Sequence, residues 1–172
     1  MMLSKDLDDF PEGVQRVMRV LREMGHAHQP IMLDEAARTA QQAADALGIL
    51  VGQIAKSIVF KRRPDEIAVL VITSGDRRVD EKKVQALVCP AGYRLGRADA
   101  DFVKMTTGFS IGGVSPVGHV VSPMALIDRD LLRFDEIWAA AGHPNGVFRL
   151  HPDDLAHLTG APFADVSEQL VP

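Results

Sequence analysis

Ile54-Ala55-Lys56-Ser57-Ile58-Val59-Phe60-Lys61, then Arg62-Arg63-Pro64-Asp65, then Glu66-Ile67-Ala68-Val69-Leu70-Val71-Ile72-Thr73 is the stretch that decides the architecture. Two runs rich in β-branched residues, separated by a short segment holding proline and aspartate, predict consecutive antiparallel strands, a hairpin. On its N-terminal side, Val14, Val17, Met18 and Leu21 recur at helical spacing. A helix is expected over Pro11–Met24, closed by Gly25. Ala27–Leu33 reads as extended, and Thr39 with Gln42 three residues on makes a capping box for a short helix stopped by Gly48. On the C-terminal side, Asp80 caps a helix through Val88, and Asp99 or Asp101 opens another through Thr107 with Gly108 after it. Ala125–Asp128, Glu136–Ala140 and Val147–His151 are further strand candidates, and Pro152–Leu158 a late helix. Strands joined by short turns and mixed with helices predict an α/β chain of the α+β type with a mixed, largely antiparallel sheet. The regular βαβ alternation of a dinucleotide-binding fold is not there.

The 172 residues are expected to form one domain, 1–172, with 47% apolar and 24% charged residues, close to globular averages. No apolar run approaches membrane-spanning length, and Met1–Phe10 is acidic where a secretory signal would be basic and then apolar. A single cysteine, Cys89, forms no internal disulfide, so the cytoplasm is the expected compartment. The net charge of −4 argues against a protein that coats nucleic acid. Its distribution is uneven, because residues 52–104 hold eleven Lys and Arg against seven Asp and Glu, a net +4 between acidic flanks.

Three places invite chemistry. Alternation along the first strand puts Lys56 on one face with Ile54, Ile58 and Phe60. An ammonium among apolar side chains needs a carboxylate partner or an incoming anion, unless it snorkels to water from the strand. The second is Gly108-Phe109-Ser110-Ile111-Gly112-Gly113-Val114-Ser115-Pro116-Val117-Gly118-His119, four glycines in twelve residues. Such a loop lets several N–H groups converge on one oxygen, although a plain long turn has the same composition. It is neither a Walker loop nor a dinucleotide fingerprint. The third is the turn Ala141-Gly142-His143-Pro144-Asn145-Gly146, whose histidine either relays protons, hydrogen-bonds a sugar hydroxyl, or simply sits on the surface. His26 and His28 with histidines 119, 143, 151 and 157 lack ligand spacing, and one cysteine excludes a thiolate zinc site, so no metal or other cofactor is expected. Gly108-Phe109-Ser110-Ile111-Gly112 matches the bare nucleophile-elbow pattern, but a helix rather than a strand precedes it. Cys89 before Pro90 has no adjacent histidine to activate it.

Together, Ala55-Lys56-Ser57-Ile58, the run Thr107 to Pro116, and Val147-Phe148-Arg149-Leu150 followed by Pro152-Asp153-Asp154-Leu155 resemble the YbaK/ProX family of aminoacyl-tRNA deacylases. That family is related to the editing domain inserted in bacterial prolyl-tRNA synthetases. The resemblance covers nearly the whole chain and implies a barrel-like sheet with helices packed around it. It also implies a metal-independent hydrolase that cleaves the ester between a wrong amino acid and the terminal adenosine of tRNA. In the family an in-strand lysine and a Gly-x-x-x-Pro loop line the site, and these look like Lys56 and Gly112 through Pro116 here. The expected catalytic groups are therefore Lys56, Gly112, Gly113 and His143. The expected substrate contacts are Ser57, Phe109, Ser110, Ile111, Val114, Ser115, Pro116 and His119. Expected partners are a mischarged tRNA and a synthetase such as prolyl-tRNA synthetase, with no membrane. Gly142-His143-Pro144-Asn145-Gly146 departs from the Gly-Lys/Arg-Arg-Gly turn of members that clear cysteinyl-tRNA and is similar to members acting on other small amino acids, with tRNA-Pro the leading expectation. Two other readings stay open: a catalytically silent tRNA- or synthetase-binding module, and a hydrolase of small esters or amides.

Overall fold

A computed structural model describes residues 7–169. Residues 1–6, on which the reading of the acidic start partly rests, lie outside them, as do 170–172. Five α-helices and eight strands alternate irregularly: α1 (Glu12–Glu23), β1 (Ile31–Met32), α2 (Ala40–Leu47), β2 (Ile54–Arg63), β3 (Ile67–Ser74), α3 (Glu81–Val88), β4 (Arg94–Arg97), α4 (Ala100–Thr107), β5 (Met124–Asp128), β6 (Ile137–Ala140), β7 (Gly146–Leu150), α5 (Pro152–Thr159) and β8 (Phe163–Ala164). Among the described residues no helix is long and apolar enough to cross a membrane.

The expected caps are present because they depend only on neighbours in the chain. Thr39 accepts the Gln42 N–H at 3.1 Å, Asp80 those of Lys82 and Lys83, and Asp99, rather than Asp101, that of Phe102 at 2.8 Å. The hairpin pairs Ala55 with Ser74 through Arg62 with Ile67. Its turn is clamped by Arg62 on the Asp65 carboxylate, with Nη2 to Oδ2 at 2.6 Å and Nε to Oδ1 at 3.2 Å.

The sheet runs β1-β7-β6-β2-β3-β5-β8, with β4 added to the far end of β2. Four of the seven pairings are antiparallel and three, β2 with β6, β3 with β5 and β5 with β8, are parallel. The expected mixed sheet is present, and its barrel likeness is loose. The path ends on β1 and β8, which do not pair, so the sheet is mixed but open. Two-residue strands at both ends leave too short a ladder to close it. Ala27–Leu33, expected to be extended throughout, contributes only Ile31 and Met32 to the sheet, paired to β7.

The main core packs Val17 and Leu21 of α1 against Leu70, Ile72, Ile127, Phe148 and Leu155. A second cluster, Phe60, Val69, Val71, Val84 and Val88, seats α3 on the other side of the hairpin. One detail of register prepares the site. Along its outer edge β2 meets β6 at Ile54 and Ala55, and β4 from Phe60 to Arg63. Between them Lys56, Ser57, Ile58 and Val59 have no strand on that edge among the described residues, so the sheet has a gap four residues long beside the lysine.

Candidate active site

A cavity of about 450 Å³, within the range of small-molecule sites, opens at this gap. Much of its wall is small and apolar, with Ala37, Ala40, Ala55, Val103, Ala139 and Ala140, and Trp138 is its largest side chain. Lys56, Ser57, Ile111, Gly112, Val114 and His143 also line it, so three segments separated by 54 and 29 residues in sequence converge there.

Lys56 is half-buried, and no carboxylate lies within 4 Å of its Nζ among the described residues. Burial lowers its pKa below the ordinary lysine value; Asp76 and Asp128 oppose the shift and Arg78 adds to it. Neither aspartate is free to pair. Asp128 accepts the Thr73 hydroxyl at 2.8 Å and the N–H groups of Ser74 and Asp130, while Asp76 is held by Arg77 and Arg133. The ammonium is thus desolvated in part and left for a ligand.

The glycine-rich loop meets the His143 turn backbone to backbone. A Cβ on Gly113 would stand 2.9 Å from the N and Cα of His143. The turn in turn rests on α1, where Cβ atoms on Gly13 or Gly142 would collide with the other's carbonyl. The His143 Nδ1 accepts the Asn145 N–H at 3.0 Å, leaving the ring proton on Nε2. His143 Nε2–H is therefore available as a hydrogen-bond donor, while Nδ1 is occupied. A strap from residue 33 to 37 holds the same turn, with Leu33 N–H on Asn145 O at 2.7 Å and Ala37 N–H on Pro144 O at 2.8 Å. That strap brings Ala37, Arg38 and Thr39 to the cavity wall.

Several expected contacts lie elsewhere. The Gly113 N–H donates to Ser110 O at 3.0 Å, so it is not a free oxyanion donor. The N–H groups of Gly112 and Val114 make no such bond among the described residues and remain for a ligand. Phe109 and Ser110 line an adjoining cleft beside α1 rather than the cavity. Phe109 is 1% exposed, with the Arg16 guanidinium 4.3 Å above its ring. Ser115 and Pro116 are buried, the Ser115 hydroxyl accepting the Val117 N–H. His119 stacks edge-on against Phe109 and donates from Nε2 to Ser115 O at 2.6 Å. Phe109, Ser115, Pro116 and His119 thus pack as the scaffold of the loop, and none of them lines the cavity. The Ser57 hydroxyl is buried in the cavity wall with no hydrogen-bond partner among the described residues, so no base there activates it as a nucleophile. Cys89 lies away from the cavity, and burial raises its pKa, disfavouring the thiolate. Among the described residues no group of three or more His, Cys, Asp or Glu is placed to hold a metal ion.

Arg16 was not legible as part of this machinery. It donates from Nη2 to Thr107 O at 2.8 Å and fills the space a side chain at Gly108 would need, pinning the loop where it leaves α4. Its guanidinium sits 91 residues from that carbonyl, on a helix whose periodicity announced only core.

Residues 34–158, almost three quarters of the chain, match the model of the aminoacyl-tRNA editing domain. The chain belongs to the aminoacyl-tRNA editing domain family. This editing domain is 41% identical to a solved structure provisionally described as a trans-editing enzyme for prolyl tRNA synthetase, with a TM-score of 0.85 over 93% of this chain and 99% of that one. It is 30% identical to YwhH of Bacillus subtilis, an uncharacterized protein, over 73% of this chain and 78% of the relative. EbsC of Enterococcus faecalis, provisionally named a Cys-tRNA(Pro)/Cys-tRNA(Cys) deacylase, is 26% identical over 75% of this chain and 77% of its own length.

The scaffold histidine of the editing domain makes a pH prediction. Burial, with Arg16 assisting against the Ser115 hydrogen bond, lowers the His119 pKa below 6.5, and its Nδ1 is buried with no hydrogen-bond partner among the described residues, so a proton there would have no acceptor. A depressed folded value means that the unfolded chain binds the proton more tightly, so this contribution to stability is complete above about pH 6.5 and lost as pH falls through the folded value. Urea unfolding at pH 7.5 and 5 is expected to show a drop in stability that His119→Gln reduces. An equal drop in wild type and variant overturns the assignment.

Proposed function

We propose that this chain is a trans-acting hydrolase of mischarged aminoacyl-tRNA, cleaving a small amino acid from the terminal adenosine, with tRNA-Pro the leading tRNA and the cytoplasm, where charged tRNA is used, its compartment. The observation that carries the reading is the unpaired, half-buried Lys56 ammonium on the rim of an apolar cavity that Gly112 and His143 share. Its substrate is an anion that ends in an activated ester, and both halves have a complement. Lys56 attracts the phosphate or the developing oxyanion, the unpaired Gly112 and Val114 N–H groups are available to the ester oxygen, and His143 Nε2–H suits a ribose hydroxyl. Water adds to the ester carbonyl carbon, the C–O bond to the ribose breaks, and the proton lost by water ends on the ribose oxygen. The ribose hydroxyl beside the ester can orient that water, and no protein nucleophile is required.

Small apolar walls favour small side chains, but one methylene changes binding by only about 1–3 kcal/mol, so activity is expected across more than one amino acid. The His143 turn supports substrates other than cysteine, in contrast to the name EbsC carries. The test is deacylation of alanyl-, seryl-, cysteinyl- and threonyl-tRNA on several tRNAs, with no synthetase added. Hydrolysis of at least one is expected. Salt-sensitive tRNA binding with every ester left intact assigns the chain instead to a silent binding module.

A further inference from the structure

Lys56 lines a second space as well. A polar groove of about 900 Å³ lies on the α3 side of the sheet and shares Lys56, Ile58, Val59 and Ala98 with the apolar cavity. These are residues of the unpaired β2 edge and the residue just after β4, so both spaces border the gap in the sheet. The groove is walled by Arg78, Lys82 and Arg97, none within 4 Å of a carboxylate among the described residues. Nearby cations off the groove are neutralised: Lys61 by Glu66, Arg62 by Asp65, Arg77 by Asp76 and Asp130, and Lys83 by Asp165. Three carboxylates also reach the groove. Asp80 is engaged in capping α3, while Glu81 and Glu168 are exposed. Lys56 and Arg78 repel each other across it, a repulsion that an anion between them would relieve.

We propose that this groove holds the single-stranded 3′ end of the RNA, its phosphates on Arg78, Lys82 and Arg97, so that the terminal ester passes through the gap beside Lys56 into the apolar cavity. The inference rests on the deacylase reading and adds to it the path of the RNA. It divides the labour of the site, with backbone charge read on one side of the sheet and the amino acid on the other. Lys56 stands between.

Binding of uncharged tRNA-Pro, intact or trimmed of its last three nucleotides, tests this without needing turnover. Arg78→Ala combined with Arg97→Ala is expected to weaken binding of intact tRNA roughly tenfold and to lower the salt slope by about 1.4, two single-strand phosphate contacts at about 0.7 each. The trimmed tRNA should be affected little. Arg94→Ala, an exposed cation on β4 outside the groove, should leave both unchanged. Equal affinities and slopes for wild type and double variant overturn the groove, even if the wild type hydrolyses its ester normally. Weakened binding in the variant alongside a wild type that cleaves nothing keeps the RNA path and sinks the deacylase.

Discussion

Lys56→Ala is expected to lower kcat/KM for the best mischarged substrate by about 10²–10³-fold, the loss that follows removal of one aimed electrostatic donor, or roughly 3–4 kcal/mol of transition-state stabilisation. The same substitution should not lower the unfolding midpoint. A half-buried ammonium with no carboxylate in reach carries desolvation cost without a compensating pair, so its removal relieves the fold rather than breaking a contact. Loss of activity with unchanged or raised stability separates a ligand-directed lysine from a structural one. Lys56→Met, which keeps the volume, should behave as alanine does. Its pH profile supplies a second check. Because burial lowers the Lys56 pKa, wild-type activity should fall on the basic side before an ordinary lysine would lose its proton. Lys56→Met with activity within threefold of wild type ends the proposal for this residue.

Gly113→Ala should be nearly as damaging, for a different reason. The added Cβ meets the N and Cα of His143 at 2.9 Å, and backbone atoms held by the Asn145 and strap hydrogen bonds have nowhere to go. The two loops must separate. Overpacking of this kind costs about 1–3 kcal/mol of stability, and displacing an aligned group by about 1 Å costs about 10²-fold in rate. We expect both, measured as a lower urea midpoint and a reduced kcat at saturating substrate. Gly112→Ala offers the contrast. Its nearest neighbour is Pro144 Cγ at 4.0 Å, so there is room, and the penalty comes from its φ of +94° alone. If Gly113→Ala were the milder of the two in its effect on rate, the loop contact would not be what places His143.

Much of this was legible in the chain because it is local. Strand alternation marked Lys56 as anomalous, side-chain caps marked α2, α3 and α4, and the glycine spacing marked a loop suited to close approach. Each depends on neighbours within a few residues. The division of that loop was not legible. Nothing in Phe109, Ser115, Pro116 and His119 as residue types distinguishes scaffold from binding face, and only tertiary packing, such as Arg16 of α1 over the Phe109 ring, buries them while Ile111, Gly112 and Val114 line the cavity. Arg16 and the strap over 33–37 were missed because their partners lie 91 and about 110 residues away.

By itself, then, the order of residues determined where the five helices and the longer strands lie, that a lysine stands inside an apolar strand, and which family the chain resembles. Tertiary structure alone decided that the sheet stays open, that β4, four residues of which two are arginine, pairs with β2 at all, and that four residues of β2 are left bare between β4 and β6. The physical reason is that strand pairing is a contest among distant segments for the same backbone donors and acceptors. Its losers, including the unpaired edge beside Lys56, are set by the whole chain.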